Sequence, residues 1–270
     1  MEQAWSLLRT GHPSVMELVA YLGDKFRLDW FNSTDAKVAD EAKKYADMQS
    51  FYAESDIYLY HLLIAFLEGW KRPCFAHLLS LTAGMGAVTV LDYGCGIGCD
   101  GLWLLDAGYR VSFADVAGQS LDFLRWRLWT RRYVVPVYEI DATRFDEQTV
   151  ECPRAQIVWC MDVLEHLPEA QQRWLLHEQL PRLGDIVFVN LVDDHEADGV
   201  VHYALDIEDL TQGVCTQWQG QCFIRDFYTG TMAHGGKIRL LGYGNGMVAD
   251  SFIDVHNAYG NYNLGCYHCK

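Results

Sequence analysis

Val88-Thr-Val-Leu-Asp-Tyr-Gly-Cys-Gly-Ile-Gly98 is the stretch on which the fold turns. An apolar run ends in a carboxylate, Asp92, and glycines then alternate at 94, 96 and 98. Glycine lets a chain turn sharply and approach a ligand with no Cβ in the way. A plain tight turn would use one or two glycines. Three in alternation after an acidic strand end point to a nucleotide-binding loop between a strand and a helix.

Outward from this loop, short apolar runs alternate with amphipathic stretches, the pattern of repeated βα units around a parallel sheet. Strands are predicted at 88–92, 110–115, 134–140, 156–161 and 185–191, with helices at 99–106, 119–131 and 168–180. The last helix opens on Pro168, which suits a first turn. The fold class that follows is α/β, a Rossmann-like, doubly wound and mostly parallel sheet. Upstream, Tyr52, Ile57, Tyr60, Leu63, Ile64 and Leu67 recur close to a helical spacing, which predicts one helix from Phe51 to Trp70. Residues 1–83 are read as an N-terminal helical cap, and 84–270 as the Rossmann-like domain with a C-terminal extension. Beyond residue 200 the signal weakens to a helix starting near Asp206 and strands at 222–228 and 237–243. Trp126, Trp129, Trp159 and Trp174 read as structural core.

Ligands of such sheets bind at the carboxyl ends of the strands. The second strand ends in Asp115, twenty-three residues after Asp92, where a carboxylate can accept both hydroxyls of a ribose. The third ends in Ile140-Asp141-Ala142, a side-chain acceptor and a backbone donor at the height of an adenine ring. The fourth ends in Met161-Asp162, followed by Val163-Leu164-Glu165-His166. An NAD site is the competing reading. Its G-x-G-x-x-G pattern would need glycine at position 99, where this chain has Cys99, and a pyrophosphate would find few basic residues nearby.

The 270 residues carry a formal charge of -15, which disfavours nucleic acid and anionic membranes as partners. No apolar stretch approaches the roughly 20 residues of a bilayer span, and the start has no signal-peptide pattern, so a cytoplasmic location is expected. Nine scattered cysteines read as reduced thiols, and Cys266-Tyr-His-Cys269 alone does not complete a zinc site.

Over about residues 85–210 the sequence resembles the class I S-adenosylmethionine-dependent methyltransferases, particularly the small-molecule branch that includes ubiquinone-biosynthesis-type enzymes. Asp92-Tyr-Gly-Cys-Gly-Ile-Gly98 matches that family's glycine loop, Asp115 its ribose acid, Asp141 its adenine contact, and Asp162-Val-Leu-Glu-His166 its segment after strand four. The resemblance implies S-adenosylmethionine as cofactor, with Asp92, Gly94, Gly96, Gly98, Asp115, Asp141, Ala142 and Met161 around it.

Because the donor's methyl group is already activated, the protein chiefly has to hold an acceptor in line and keep water out. For a hydroxyl acceptor His166 is the candidate general base, with Glu165 to orient it. The same residues also read as a loop lock. Asp162, Glu165 and His166, with His195 or His202, offer a metal-assisted variant, although the main reading assigns no metal. Phe51, Tyr52, Tyr58, Tyr60 and His61 stand where a lid over the cofactor mouth would, and Tyr52 is assigned to the cofactor side. Phe51 and Tyr58 read rather as core. A small-molecule acceptor is the leading expectation, at oxygen or nitrogen. The alternatives are a peptide or protein acceptor, or a catalytically silent cofactor-binding subunit. Nothing in the sequence selects an oligomeric state.

Overall fold

A computed structural model describes residues 11–32, 34–69, 71–141, 150–192, 203, 205–218, 221–228 and 237–244. Its strands are β1 (Thr89–Tyr93), β2 (Arg110–Val116), β3 (Val137–Ile140), β4 (Ala155–Cys160), β5 (Gly184–Val192), β6 (Cys222–Tyr228) and β7 (Lys237–Gly244). They form one seven-stranded sheet in the order β3-β2-β1-β4-β5-β7-β6. The first five pair in parallel. β7 runs antiparallel between β5 and β6, so the two late strands complete the sheet rather than trail from it. Chain order reverses between β1 and β4, which places the ligand crevice at their carboxyl ends.

The helices are α1 (Pro13–Leu22), α2 (Thr34–Ala42), α3 (Met48–Glu54), α4 (Asp56–Glu68), α5 (Arg72–Thr82), α6 (Cys99–Asp106), α7 (Gln119–Thr130), α8 (Glu169–Trp174), α9 (Leu180–Leu183) and α10 (Ile207–Gln217). In β1, Val90 and Leu91 face opposite sides, as the two-residue period of a strand requires. Val90 joins Phe113, Leu124, Trp159 and, from α5, Phe75 and Leu78 in one core. Leu91 joins Val158, Leu176, Val187 and Leu210 in the other. A strand buried on both faces has no polar side, which is why these segments read as unbroken apolar runs.

Val15, Leu18, Leu59, Tyr60 and Leu63 of the N-terminal helices share a third core with Ile97 of the glycine loop, Cys99 and Phe123. The cap is therefore packed onto the loop that the sequence marks as nucleotide-binding.

Four local expectations change. The helix predicted from Phe51 to Trp70 is two helices, because Ser55 is extended (φ -87°, ψ 121°) and restarts the chain at Asp56. Glu54 and Asp56 therefore do not lie on one continuous helical surface. The helix predicted at 168–180 instead runs α8, a π-helical turn at Leu175–Gln179, and α9. β3 starts at Val137 rather than 134, since Pro136 has no N–H for a ladder and Val134 is 98% exposed. Trp129 is 75% exposed rather than core. The sheet-facing stripe of α7 is Leu121, Leu124 and Leu128, and residue 129 projects about 100° away from its neighbour.

Among the described residues, no helix is long and apolar enough to cross a membrane.

Candidate functional site

The glycine loop is tied to the end of β2, where the amides of Gly94 and Cys95 donate to the carbonyl of Ala114 at 2.8 and 3.2 Å. Gly94, Gly96 and Gly98 take φ of 69°, 53° and 71°. At Gly94 a Cβ would also lie 2.3 Å from Cγ2 of Val163, so only glycine lets the loops after β1 and β4 close on each other. Asp92 is buried and accepts the Gly101 amide at 2.9 Å, which anchors the first turn of α6. Burial, then the charge of Asp100, raises its carboxyl well above the ordinary range. Its role in this geometry is to shape the loop.

Asp115 sits at the end of β2 with one carboxylate oxygen on the Gly96 amide and the other on the Val116 amide, 2.7 Å away. Burial pushes its carboxyl up to about 6, against the lowering effect of those two amides. Close by, a Cβ on Gly118 would meet the Cα of Ala53 at 2.6 Å. The backbone of α3 therefore lies directly on the turn after β2. Asp141 follows β3 and is exposed, and Met161 is a core residue 4% exposed. Ala142, His195 and His202 lie outside the described residues.

The cap brings Tyr52 to His166. The tyrosine oxygen and His166 Nδ1 are 3.0 Å apart, and the rings meet edge-on at 5.5 Å. Tyr58 backs Tyr52 at 4.7 Å between centroids and stacks near His61 at 6.0 Å. Phe51 and Tyr58 are buried. Desolvation, helped by Tyr52 and the nearby carboxylates, drives the Tyr58 phenol well above its ordinary pKa and keeps it neutral.

Glu165 was expected to orient His166. The two share a 3₁₀ turn, Leu164–His166, in which successive side chains diverge by about 120°. Glu165 accordingly points inward, 5% exposed, with Oε2 lacking a hydrogen-bond partner. Burial and then the adjoining Asp162 raise its carboxyl well above the usual range. Tyr52, from the cap, meets His166 Nδ1 instead.

Sequence reasoning missed Lys71. Its ammonium lies 3.0 Å from Asp162 and 3.3 Å from Asp100, and Trp159 Nε1 donates to the same Asp100 oxygen at 3.1 Å. Burial works against that charge, but Asp100 and Asp162 outweigh it and raise the lysine's pKa. Asp162 is held in a left-handed conformation, φ 57°, with its amide donating to Asn190 Oδ1 at 2.7 Å. Such backbone persists only where its surroundings enforce it. A lone lysine before a proline-started helix carries no motif, so only packing reveals this bridge between cap and sheet. Among the described residues, no three His, Cys, Asp or Glu side chains gather to hold a metal ion, and Asp162 is engaged by Lys71.

Magnesium protoporphyrin IX methyltransferase from Synechocystis PCC 6803, solved with bound SAM, superposes with a TM-score of 0.51 at 17% identity, covering 80% of this chain and 94% of that one. The same enzyme with bound SAH gives 0.50 at 16% identity, covering 80% and 97%. The fold is that of the class I methyltransferases. A ubiquinone biosynthesis O-methyltransferase from Aromatoleum aromaticum is 31% identical to this methyltransferase-fold chain over 122 residues, 45% of the chain. The chain spans 51% of that relative's length. No family model matches the sequence.

Proposed function

We propose that the chain is an S-adenosylmethionine-dependent methyltransferase acting on a hydroxyl of a small organic acceptor. The observation that carries the cofactor is the seating of Asp115. An ionised carboxylate offers about four acceptor positions. Two are taken by the Gly96 and Val116 amides, which leaves two for the paired hydroxyls of a ribose. The glycine loop beside it presents backbone rather than side chain, as a bulky sulfur-bearing nucleoside requires. When bound, S-adenosylmethionine would supply an electrophilic methyl carbon on a sulfonium.

The chain's own residues would then do three things. Asp115 and the loop would fix the nucleoside. The cap, through Tyr52, Tyr58 and the α3 backbone on Gly118, would exclude water. His166 would take the acceptor proton. If Nδ1–H donates to the Tyr52 oxygen, Nε2 is left as the basic nitrogen, the tautomer a general base needs. Oxygen as the accepting atom is supported by this pair and by the name of the Aromatoleum relative.

Calorimetric titration of the cofactor-stripped protein with S-adenosylmethionine and S-adenosylhomocysteine, with NAD as control, tests the reading. Micromolar binding of the first two is expected. Two charge-assisted hydrogen bonds of about 1.5 kcal/mol each predict a loss of about 100-fold on Asp115→Ala. Tight NAD binding, or no binding of either nucleoside, would overturn the assignment. Binding without transfer to any acceptor would leave a cofactor-binding subunit rather than an enzyme.

The raised carboxyl of Asp115 adds a pH dependence. Its folded-state pKa, about 6, lies above the ordinary aspartate value of 3.8, so ionisation costs stability, and that cost disappears as pH falls from about 6 toward 4. Ligand binding runs the other way, because the protonated acid loses acceptor capacity. The affinity for S-adenosylhomocysteine should be flat above pH 7 and weaken below 6, approaching about tenfold per unit. Asp115→Asn should flatten this profile; a profile unchanged by that substitution would remove Asp115 from the site.

A further inference from the structure

Cys215 near the end of α10 and Cys222 at the start of β6 bring their sulfurs to 3.1 Å. Both are reduced and half-buried, so a small oxidant can reach them. Their approach is set by the backbone. The Trp218 amide closes α10 on the Val214 carbonyl at 2.9 Å, the Gln221 amide returns to the Trp218 carbonyl at 2.8 Å, and the Gly244 amide fastens Gln221 at 3.2 Å. Between the cysteines, the Trp218 ring packs on Tyr243 with centroids 6.0 Å apart. Two thiols this close, with the backbone at Trp218 and at Gln221 fastened, have a high effective concentration for each other.

We propose that Cys215 and Cys222 are a dithiol modification site, closed to an intramolecular disulfide by a peroxide. The Cys222 sulfur attacks one peroxide oxygen and becomes a sulfenic acid, while the displaced hydroxide takes up the thiol's proton and leaves as water. Cys215 sulfur then displaces the sulfenic hydroxyl, which departs with the Cys215 proton as a second water. Two thiols are oxidised by two electrons and one peroxide is reduced. The 3.1 Å approach sets the Cys215 sulfur beside the sulfenic sulfur for the second step, and burial, then the neighbouring Cys222, push the Cys215 thiol up to about 12.

Selectivity has the same origin. Cys74, Cys95, Cys99 and Cys160 are buried, and desolvation raises the thiol of each. The product would join α10 to the edge strand of the sheet. The helix is already held to β7 through Arg239, which reaches Glu208 at 3.0 Å and Thr211 at 3.2 Å.

The full chain should be treated with hydrogen peroxide, alkylated and mapped by peptide mass. The expected result is a 215–222 linkage lighter by about two mass units and reversed by dithiothreitol, with Tm raised by about 5 °C, the size expected for a short closed loop in a domain of this length. Cys215→Ser and Cys222→Ser, both at half-exposed positions, should each abolish the linkage and the Tm shift. The proposal is overturned if either sulfur is recovered as free thiol or sulfinate, or joined to a different cysteine, or if the Tm shift survives in the serine variants.

Discussion

His166→Ala is expected to lower kcat by about 10² to 10⁴-fold, the range for removing a positioned general base, while S-adenosylmethionine affinity stays within about twofold. The split follows from the geometry, because His166 stands on the turn after β4 with its Nδ1 on Tyr52, whereas Asp115 belongs to β2. The increase of kcat with pH that a titrating base imposes should vanish in the variant. Tyr52→Phe keeps the ring that packs on Tyr58 and removes only the hydroxyl, so it should cost about tenfold in kcat by freeing the imidazole tautomer. A His166→Ala enzyme with wild-type kcat, or one whose losses match a fall in folding stability, would make the residue a loop lock.

This pair also marks how far the sequence could be read. The glycine loop and the acid at Asp115 are local signals, each written within a dozen residues, and with the βα alternation over residues 88–191 they suffice for the class of sheet and for the end of it that matters. Tyr52 and His166 are 114 residues apart, and their meeting depends on the break at Ser55 that separates α3 from α4. A helical stripe cannot reveal such a break, since Ile57, Tyr60 and Leu63 are buried whether or not the turn before them is continuous.

Lys71 and Glu165 illustrate a second limit. Electrostatic partners are chosen by burial, so a lysine with no motif becomes the counter-charge of Asp100 and Asp162, while a carboxyl that reads as a histidine's partner is turned inward and its pKa raised. The insertion of β7 between β5 and β6 belongs to the same class. Both strands show in the sequence, but their order is a long-range fact.

The largest stability effect is expected where α1 meets the glycine loop. Arg127, 1% exposed, donates to Glu17 at 2.9 Å, to the carbonyl of Ile97 at 2.5 Å and to Ser14 at 3.1 Å, and its guanidinium lies 5.4 Å from the Phe123 ring centre. Glu17 also accepts two bonds from Arg131, at 2.5 and 3.0 Å. Burial would raise the Glu17 carboxyl, but the hydrogen bond from Arg131 and the charges of Arg127 and Arg131 outweigh it and lower its pKa. Removing one partner of a buried pair typically costs about 3–5 kcal/mol, and Glu17 keeps some solvent, so Glu17→Ala should cost about 3 kcal/mol in urea unfolding at pH 7. Arg127→Met should cost less than the sum implies when combined with it, with a coupling of about 1–3 kcal/mol in the double-mutant cycle. Because the folded-state pKa is depressed, this contribution is complete above the ordinary glutamate value of 4.5 and is lost as pH falls through the folded value, so the cost of Glu17→Ala should shrink in acid. Arg127→Met should also weaken S-adenosylmethionine binding, since Ile97 lies between Gly96 and Gly98 and loses the donor that holds its carbonyl. A Glu17→Ala cost under about 1 kcal/mol with no coupling to Arg127 would mean that the cap is held by its apolar core alone.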